Sequence, residues 1–277
     1  MSKPSHFKFY EKIPLFYWSE KRFIFREKEN YGDLISPYLV EKISGKKTVF
    51  VHPKKQKWYN LNKSNLLAVG SIIHHAIRDS VIWGSGIIDN KQFVRKADFR
   101  AVRGPRTREQ LLKFGYDCPD IFGDPAILLP KYFSPNVTKK YRLGIIPHYH
   151  DYKAALQIFG KREGIQVVNL LTLDVEGTTR EILQCERILS TSLHGLIVAH
   201  SYGIPAIRVK ISNDIFGNEV KYADYLESVG LANYRALEVR GGISDDEISD
   251  LFRSFPALVP AETIEFLRVG LLETKPF

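Results

Sequence analysis

The sequence predicts an α/β fold built on parallel strands, and three observations carry that reading. Short strand-like apolar runs alternate with amphipathic stretches of helical length, the pattern expected when each strand is followed by a crossover helix. Proline near the start and glycine just past the end punctuate a helical stretch, as at Pro105 and Gly115. Of the 277 residues 44% are apolar and 12% aromatic, enough to bury a sizeable core and too much for a solvated, disordered chain.

Along the chain, residues 13–18 form a first apolar strand. A helix over 33–44 follows, capped at Asn30 or Asp33 and stopped by Gly45. Strands come next at 48–52, 65–70, 80–84 and 99–103, and Pro105 opens a helix over 106–114. Gly123-Asp124-Pro125 is a turn before the apolar residues 126–129. Residues 131–140 have no periodicity and read as a linker, after which the rhythm restarts. Strands at 142–147, 166–171, 187–191 and 205–209 alternate with helices at 152–160, 178–186 and 193–202. The tail adds helices at 220–229, 245–255 and 261–274. Two wound units of ordinary domain size result, 1–138 and 139–255, with a C-terminal helix in 256–277 that can pack back on the first.

Composition excludes several classes. Cys118 and Cys185 are the only cysteines, so a disulfide scaffold is out. No apolar run reaches the roughly 20 residues of a membrane span. Residues 1–20 carry charges and no small-residue cleavage site, so no secretory signal is expected. A reduced, cytoplasmic, soluble protein is the expectation. With 40 basic and 31 acidic side chains the net charge is +9, and the first half holds most of the excess. Such a balance suits an anionic partner (nucleic acid, a phosphorylated metabolite or acidic lipid), and equally a merely solvated basic surface.

In doubly wound sheets ligands bind beyond the carboxyl ends of strands, so donors at the strand-to-helix junctions mark candidate sites. The richest is Ser190-Thr191-Ser192-Leu193-His194-Gly195, where three hydroxyl residues precede a helix whose first N–H groups lack intrahelical acceptors. Phosphate or carboxylate could bind there, with His194 beside it and Gly195 allowing close approach. Alternatively the hydroxyls only cap the helix and His194 is a satisfied, half-buried imidazole. At the end of the 99–103 strand, Arg103 offers a planar fork for an anion, whereas Arg106 and Arg108 belong on the solvent face. Trp83-Gly84-Ser85-Gly86 supplies N–H donors and a hydroxyl but is not a dinucleotide fingerprint. A Gly-Lys-Ser/Thr phosphate loop and a Gly-x-Ser-x-Gly elbow are both absent. His148-Tyr149-His150-Asp151 and His74-His75 lack zinc-site spacing, so no metal is expected.

Seven segments in order resemble the polysaccharide pyruvyl transferase family: 30–33 (NYGD), 79–86 (DSVIWGSG), 102–107 (VRGPRT), 123–125 (GDP), 146–149 (IPHY), 190–195 (STSLHG) with 202–205 (YGIP), and 221–225 (KYADY). The resemblance spans roughly residues 30–230. It implies two Rossmann-like domains facing a cleft, similar to GT-B glycosyltransferases, with acceptor on the first and donor on the second. It also implies transfer of pyruvate from phosphoenolpyruvate to a sugar, giving a cyclic ketal and phosphate, without a cofactor. Carried over residue by residue, it makes His194 and Arg103 catalytic and puts the donor at Ser190, Thr191, Ser192, Leu193 and Gly195. It puts the acceptor at Asn30, Asp33, His74, Trp83, Gly84, Ser85 and His148. Trp83 reads either as a stacking platform for a pyranose or as a core aromatic. One departure stands out: many members have Arg before Leu-His, and this chain has Ser192, which removes a positive charge from the donor site.

The acceptor can be free or carried on a diphosphate lipid at the inner membrane face. Phe7, Phe9, Tyr10, Phe16, Tyr17, Phe23 and Phe25, interleaved with Lys and Arg, suit peripheral contact with an anionic membrane, and suit core strands with basic flanks equally well. Two rivals remain at this level: a sugar-nucleotide glycosyltransferase on the same fold, and a non-catalytic polyanion binder. No nucleic-acid partner is expected, because that would leave the hydroxyl-rich turn beside His194 without a purpose.

Overall fold

A computed structural model describes residues 5–212, 219–239 and 243–277. In the first half β1 (Ile13–Phe16), α1 (Glu20–Phe23), β2 (Glu29–Asn30), α2 (Tyr31–Ser44) and β3 (Thr48–Phe50) are followed by β4 (Asn65–Leu67), β5 (Ser80–Trp83), β6 (Asp98–Ala101) and α3 (Pro105–Lys113). A 3-10 turn at Pro125–Leu128 leads into α4 (Leu129–Tyr132). The second half runs β7 (Leu143–Ile146), α5 (Tyr152–Phe159), β8 (Ile165–Val167), β9 (Leu171–Thr172), α6 (Val175–Leu183), β10 (Ile188–Ser190), α7 (Leu193–Ser201) and β11 (Ala206–Lys210). α8 (Val220–Ser228), β12 (Leu237–Glu238), α9 (Asp245–Ser254) and α10 (Ala261–Glu273) complete the described elements.

Both five-stranded sheets are parallel, as the buried runs of Val, Ile and Leu require when helices cover both faces. The first has the order β3-β1-β4-β5-β6 and the second β12-β11-β10-β7-β8. Numbered in chain order within each sheet, both read 2-1-3-4-5. The strand order therefore reverses between β1 and β4 in one sheet and between β7 and β10 in the other. Ligands bind beyond the strand ends at such reversals, where the crossovers leave on opposite sides and open a crevice.

α2 starts two residues before the expected 33, with Asn30 at its N-cap, and Gly45 with a φ of 69° closes it. The expected linker begins later than its composition suggests, because Lys131 and Tyr132 finish α4. The single strand expected over 166–171 is instead split. Asn169 accepts from the Leu171 amide and turns the chain, so β9 leaves the second sheet and pairs antiparallel with β2. That pairing and the Tyr31 N–H to Leu170 carbonyl bond tie the start of α2 to the second half.

α7 is apolar all round, with Leu196, Ile197, Val198 and Ala199 buried in the largest core cluster. α10 lies against the first half: the Trp83 indole donates to the Leu271 carbonyl at 2.9 Å and its ring meets Phe277 edge-on. Trp83 is thus a core aromatic at 0% exposure, its N–H satisfied by backbone, and it is no sugar platform. The aromatic set suggested for membrane contact also divides. Phe7 and Phe16 are fully buried, Tyr10, Tyr17 and Phe23 pack against the core, and only Phe9 and Phe25 stand exposed. Among the described residues no helix is long and apolar enough to cross a membrane.

Candidate functional site

A cavity of about 510 Å³ lies where the two strand-order reversals meet. The first half contributes Trp18, Glu20, Asn30, Asp33, Ser71 and His74. The second contributes His148, Tyr149 and His150 beyond β7, and Ser192, Leu193 and His194 beyond β10. Lys221, in the first turn of α8, completes the polar wall.

His194 occupies the second position of α7, and Ser192 caps the helix without a side-chain hydrogen bond. The amides of Leu193, His194 and Gly195 have no intrahelical acceptor, which makes this end a suitable seat for an anion. The ring packs directly on α2: a Cβ on Gly32 would fall 2.1 Å from His194 Nδ1, so only glycine fits that position. Nε2 lies 3.7 Å from Asp124 Oδ2, is buried and has no hydrogen-bond partner. Asp124 is fixed by the amides of Gly70 and Ala126. Asp33, on the cavity wall, receives a 2.7 Å hydrogen bond from Asn30 Nδ2. Burial raises its pKa to about 7, against the Asn30 hydrogen bond and the His194 charge. Near neutrality Asp33 can therefore hold or release a proton.

His74 and His148 on the wall are neutral at pH 7. Burial lowers His74 to about 4 and His148 to about 3, each helped by a nearby lysine. Lys221 is lowered to about 8 by burial and by Arg103 and Arg208, so it keeps its charge at neutral pH. Glu20 is buried; its Oε1 accepts from Trp18 Nε1 and Tyr149 OH, and its Oε2 lies 3.3 Å from Arg26. The wall can thus offer a cation and helix amides at one end, and an indole, a carboxylate and neutral imidazoles at the other.

Arg103 is not on the wall. It is fully buried, with Nε on Asp224, Nη1 on Ser71 Oγ and Nη2 on the Ile87 carbonyl. Asp224 also receives the Thr107 amide and hydroxyl, so the arginine braces α3 to α8 and steadies Ser71 from behind. As a direct clamp on substrate it is corrected: its hydrogen-bonding edges are turned to protein. Arg106 pairs with Glu227 at the surface, and Arg108 reaches the Cys118 carbonyl.

Of the sequence-derived site residues, the fold brings Asn30, Asp33, His74, His148, Ser192, Leu193 and His194 to one cavity. Ser190 and Thr191 lie behind it. Ser190 Oγ bonds the Ile146 and Ser192 carbonyls, and Thr191 Oγ1 donates to Asp151 while accepting from the His148 amide. Both hydroxyls are used up inside the protein, so they shape the turn and do not face a ligand. Gly195 is likewise internal, since a Cβ there would strike Ser190 Oγ at 2.3 Å. Gly84 packs under Pro125, and the Ser85 hydroxyl is spent on the Gly70 carbonyl. Sequence reasoning missed Trp18, Glu20, Ser71, Tyr149 and Lys221. A search of the ends of β1 and β4, where the strand order reverses, would have found three of them. Among the described residues no three His, Cys, Asp or Glu converge as a metal set.

Comparison with known proteins identifies the family of the chain. The family model described as polysaccharide pyruvyl transferase matches residues 8–213. An uncharacterized protein, L143, of Acanthamoeba polyphaga mimivirus is 28% identical over 236 residues, 83% of this chain and 81% of the relative. Succinoglycan biosynthesis protein ExoV of Rhizobium meliloti is 25% identical over 240 residues, 81% of this chain and 67% of the relative.

Proposed function

The chain belongs to the polysaccharide pyruvyl transferase family, and from that premise we propose that it moves the pyruvyl group of phosphoenolpyruvate onto two hydroxyls of one sugar in a polysaccharide or its lipid-linked precursor. The products are a cyclic pyruvate ketal and phosphate. The observation that carries the reading is the cavity itself, shared by the reversal points of both sheets, with His194, Asp33 and Lys221 on its wall. On this reading the two halves are Rossmann-like domains in a GT-B-like arrangement, acceptor on the first and donor on the second.

The donor carries a carboxylate and a phosphate and lies at the α7 end, against the first-turn amides, Ser192, His194 and Lys221. Lys221 supplies the charge that Ser192 does not. The acceptor lies toward Trp18, Glu20, Asn30 and His74, where an indole face, a carboxylate and neutral imidazoles suit a polyhydroxylated ring. The protonated Asp33 carboxyl gives its proton to the methylene carbon, which becomes the methyl group and leaves positive character on the adjacent carbon. One sugar hydroxyl attacks that carbon and returns its proton to Asp33. The bond to phosphate then breaks, with the leaving group held by Lys221, the α7 amides and the His194 ring. The second hydroxyl closes the ring and its proton leaves on phosphate, so Asp33 ends as it began.

The test is phosphate release from phosphoenolpyruvate over a panel of free and lipid-linked galactosyl and mannosyl acceptors, with the product mass rising by one pyruvate less one water. Absence of phosphate release with every acceptor, alongside turnover of a nucleoside diphosphate sugar, would overturn the reading.

A further inference from the structure

Between Glu41 and Asp79 the sequence holds eight basic residues and no acidic one. The centre of that stretch is a surface loop, 54–63, bearing Trp58 at 87% and Leu61 at 104% exposure, with Tyr59 more than half exposed. Large apolar side chains grouped at one loop tip are unusual on a protein surface and mark a contact. Two bonds within the loop shape it, Gln56 Nε2 to the Lys63 carbonyl and the Asn60 amide to the Lys57 carbonyl, and Asn62 Nδ2 ties it to the Tyr10 hydroxyl. Lysines flank its aromatic pair on both sides, with Lys57 lying over the Tyr59 ring.

This loop also flanks the cavity opening. Lys54 Nζ donates to the carbonyl of His74, a wall residue, and Lys55 lies over the Phe23 ring. Phe23 leads into Ile24, which lines the cavity yet is half exposed, and into Phe25, which is exposed and has a left-handed φ of 57°. Lys21, Arg22 and Lys28 in the same stretch are exposed basic residues, offset in part by exposed Glu27, while Arg26 pairs with Glu20.

We infer that loop 54–63 docks this face of the protein on an anionic lipid bilayer, Trp58 and Leu61 entering the interface while the lysines meet the head groups. Tryptophan and tyrosine favour the head-group level, and basic residues beside them add attraction to anionic lipid. Leu61 favours this partner over a nucleic acid, because an exposed aliphatic side chain gains from an acyl boundary and nothing from phosphates or stacked bases. The inference deepens the reading of a lipid-linked acceptor, which would then enter from the surface on which the protein sits. Binding is scored without turnover, so either reading can fail alone.

The experiment is cosedimentation at physiological salt with phosphatidylcholine vesicles, either pure or containing roughly one-third phosphatidylglycerol, together with Trp58 emission. The protein should pellet with the anionic vesicles only, with a blue shift that Trp58→Ser abolishes. Trp58→Ser with Leu61→Ser should weaken binding tenfold or more, and Lys55→Gln and Lys57→Gln about fivefold each. All four side chains are exposed, so these variants keep the fold. A protein that stays in the supernatant with both vesicle types overturns the inference. So do variants that pellet like the parent, or a single-stranded oligonucleotide that engages Trp58 when vesicles do not.

Discussion

Gly32 has no side chain because the His194 ring fills the space where one would stand, and that single contact explains why a glycine follows Tyr31 at the start of α2. The ring is wedged between a helix backbone and the Asp124 carboxylate, with little room to turn. His194→Gln should therefore leave folding intact while lowering phosphate release by a hundredfold or more. A loss under about tenfold, less than ~1.4 kcal/mol of barrier, would remove His194 from the chemistry. Lys221 gives a second test. Its pKa is lowered to about 8, so its charge is present at pH 7 and lost as the pH rises through 8. The apparent affinity for phosphoenolpyruvate should fall from pH 7 to pH 9. Lys221→Met should raise the donor KM at least tenfold at pH 7 and flatten that profile. A variant with the parent's pH dependence would show that another group binds the donor.

Elements meet at this site through pairs far apart in sequence. Asp224 of α8 receives the Arg103 guanidinium and the Thr107 amide and hydroxyl, and Gly104 lets the two segments touch, since a Cβ there would fall 1.9 Å from the Asp224 carbonyl oxygen. Asp224→Asn leaves a fully buried guanidinium without its counter-charge, a change that typically costs about 3–5 kcal/mol. Urea unfolding should register that loss, with the donor KM moving far less than in Lys221→Met. Equal effects on both would return Arg103 to the donor site. Most of the longer strands, the end of α2 at Gly45, the start of α3 at Pro105 and the 190–195 turn could be read from apolar runs, proline and glycine, because those signals are local, whereas the two-residue strands β2, β9 and β12 could not. The direction of a side chain was not local. Arg103 and Lys221 carry the same charge near the same cavity, and only the position of Asp224 decides that one braces and the other faces inward. Trp83 and Trp18 follow the same rule: one closes β5 and the other follows β1 by two residues, but α10 covers the first and leaves the second on the wall. Such distinctions depend on residues 100 or more positions away, which no window of sequence contains.

At the scale of the molecule, the two sheets repeat one strand order without a visible sequence repeat, since topology constrains only which strands are buried and not which apolar residue fills them. The cavity they share gathers groups that titrate against their normal tendency, and this makes stability depend on pH in opposing ways. His200 lies in the core, bonded to Tyr225 and the Ala206 carbonyl, with its pKa lowered to about 4. Its folded value lies below its unfolded one, so its contribution is present above pH 6.5 and lost as the pH falls toward 4, about 2 kcal/mol by pH 5. His148 and His75, both lowered to about 3, act in the same direction. Asp33 acts in the other. Its pKa is raised to about 7, so the folded state binds a proton that the unfolded chain does not hold until pH 4, and acidification from 7 to 5 stabilises it by about 2 kcal/mol. The histidines together outweigh the single carboxyl, and the parent should melt at a lower temperature at pH 5 than at pH 7. Asp33→Asn removes the opposing group, so its melting temperature should fall further over the same interval. Parallel melting curves for parent and variant across that range would mean that Asp33 does not carry its proton in the folded protein, and the proton relay assigned to it would go with it.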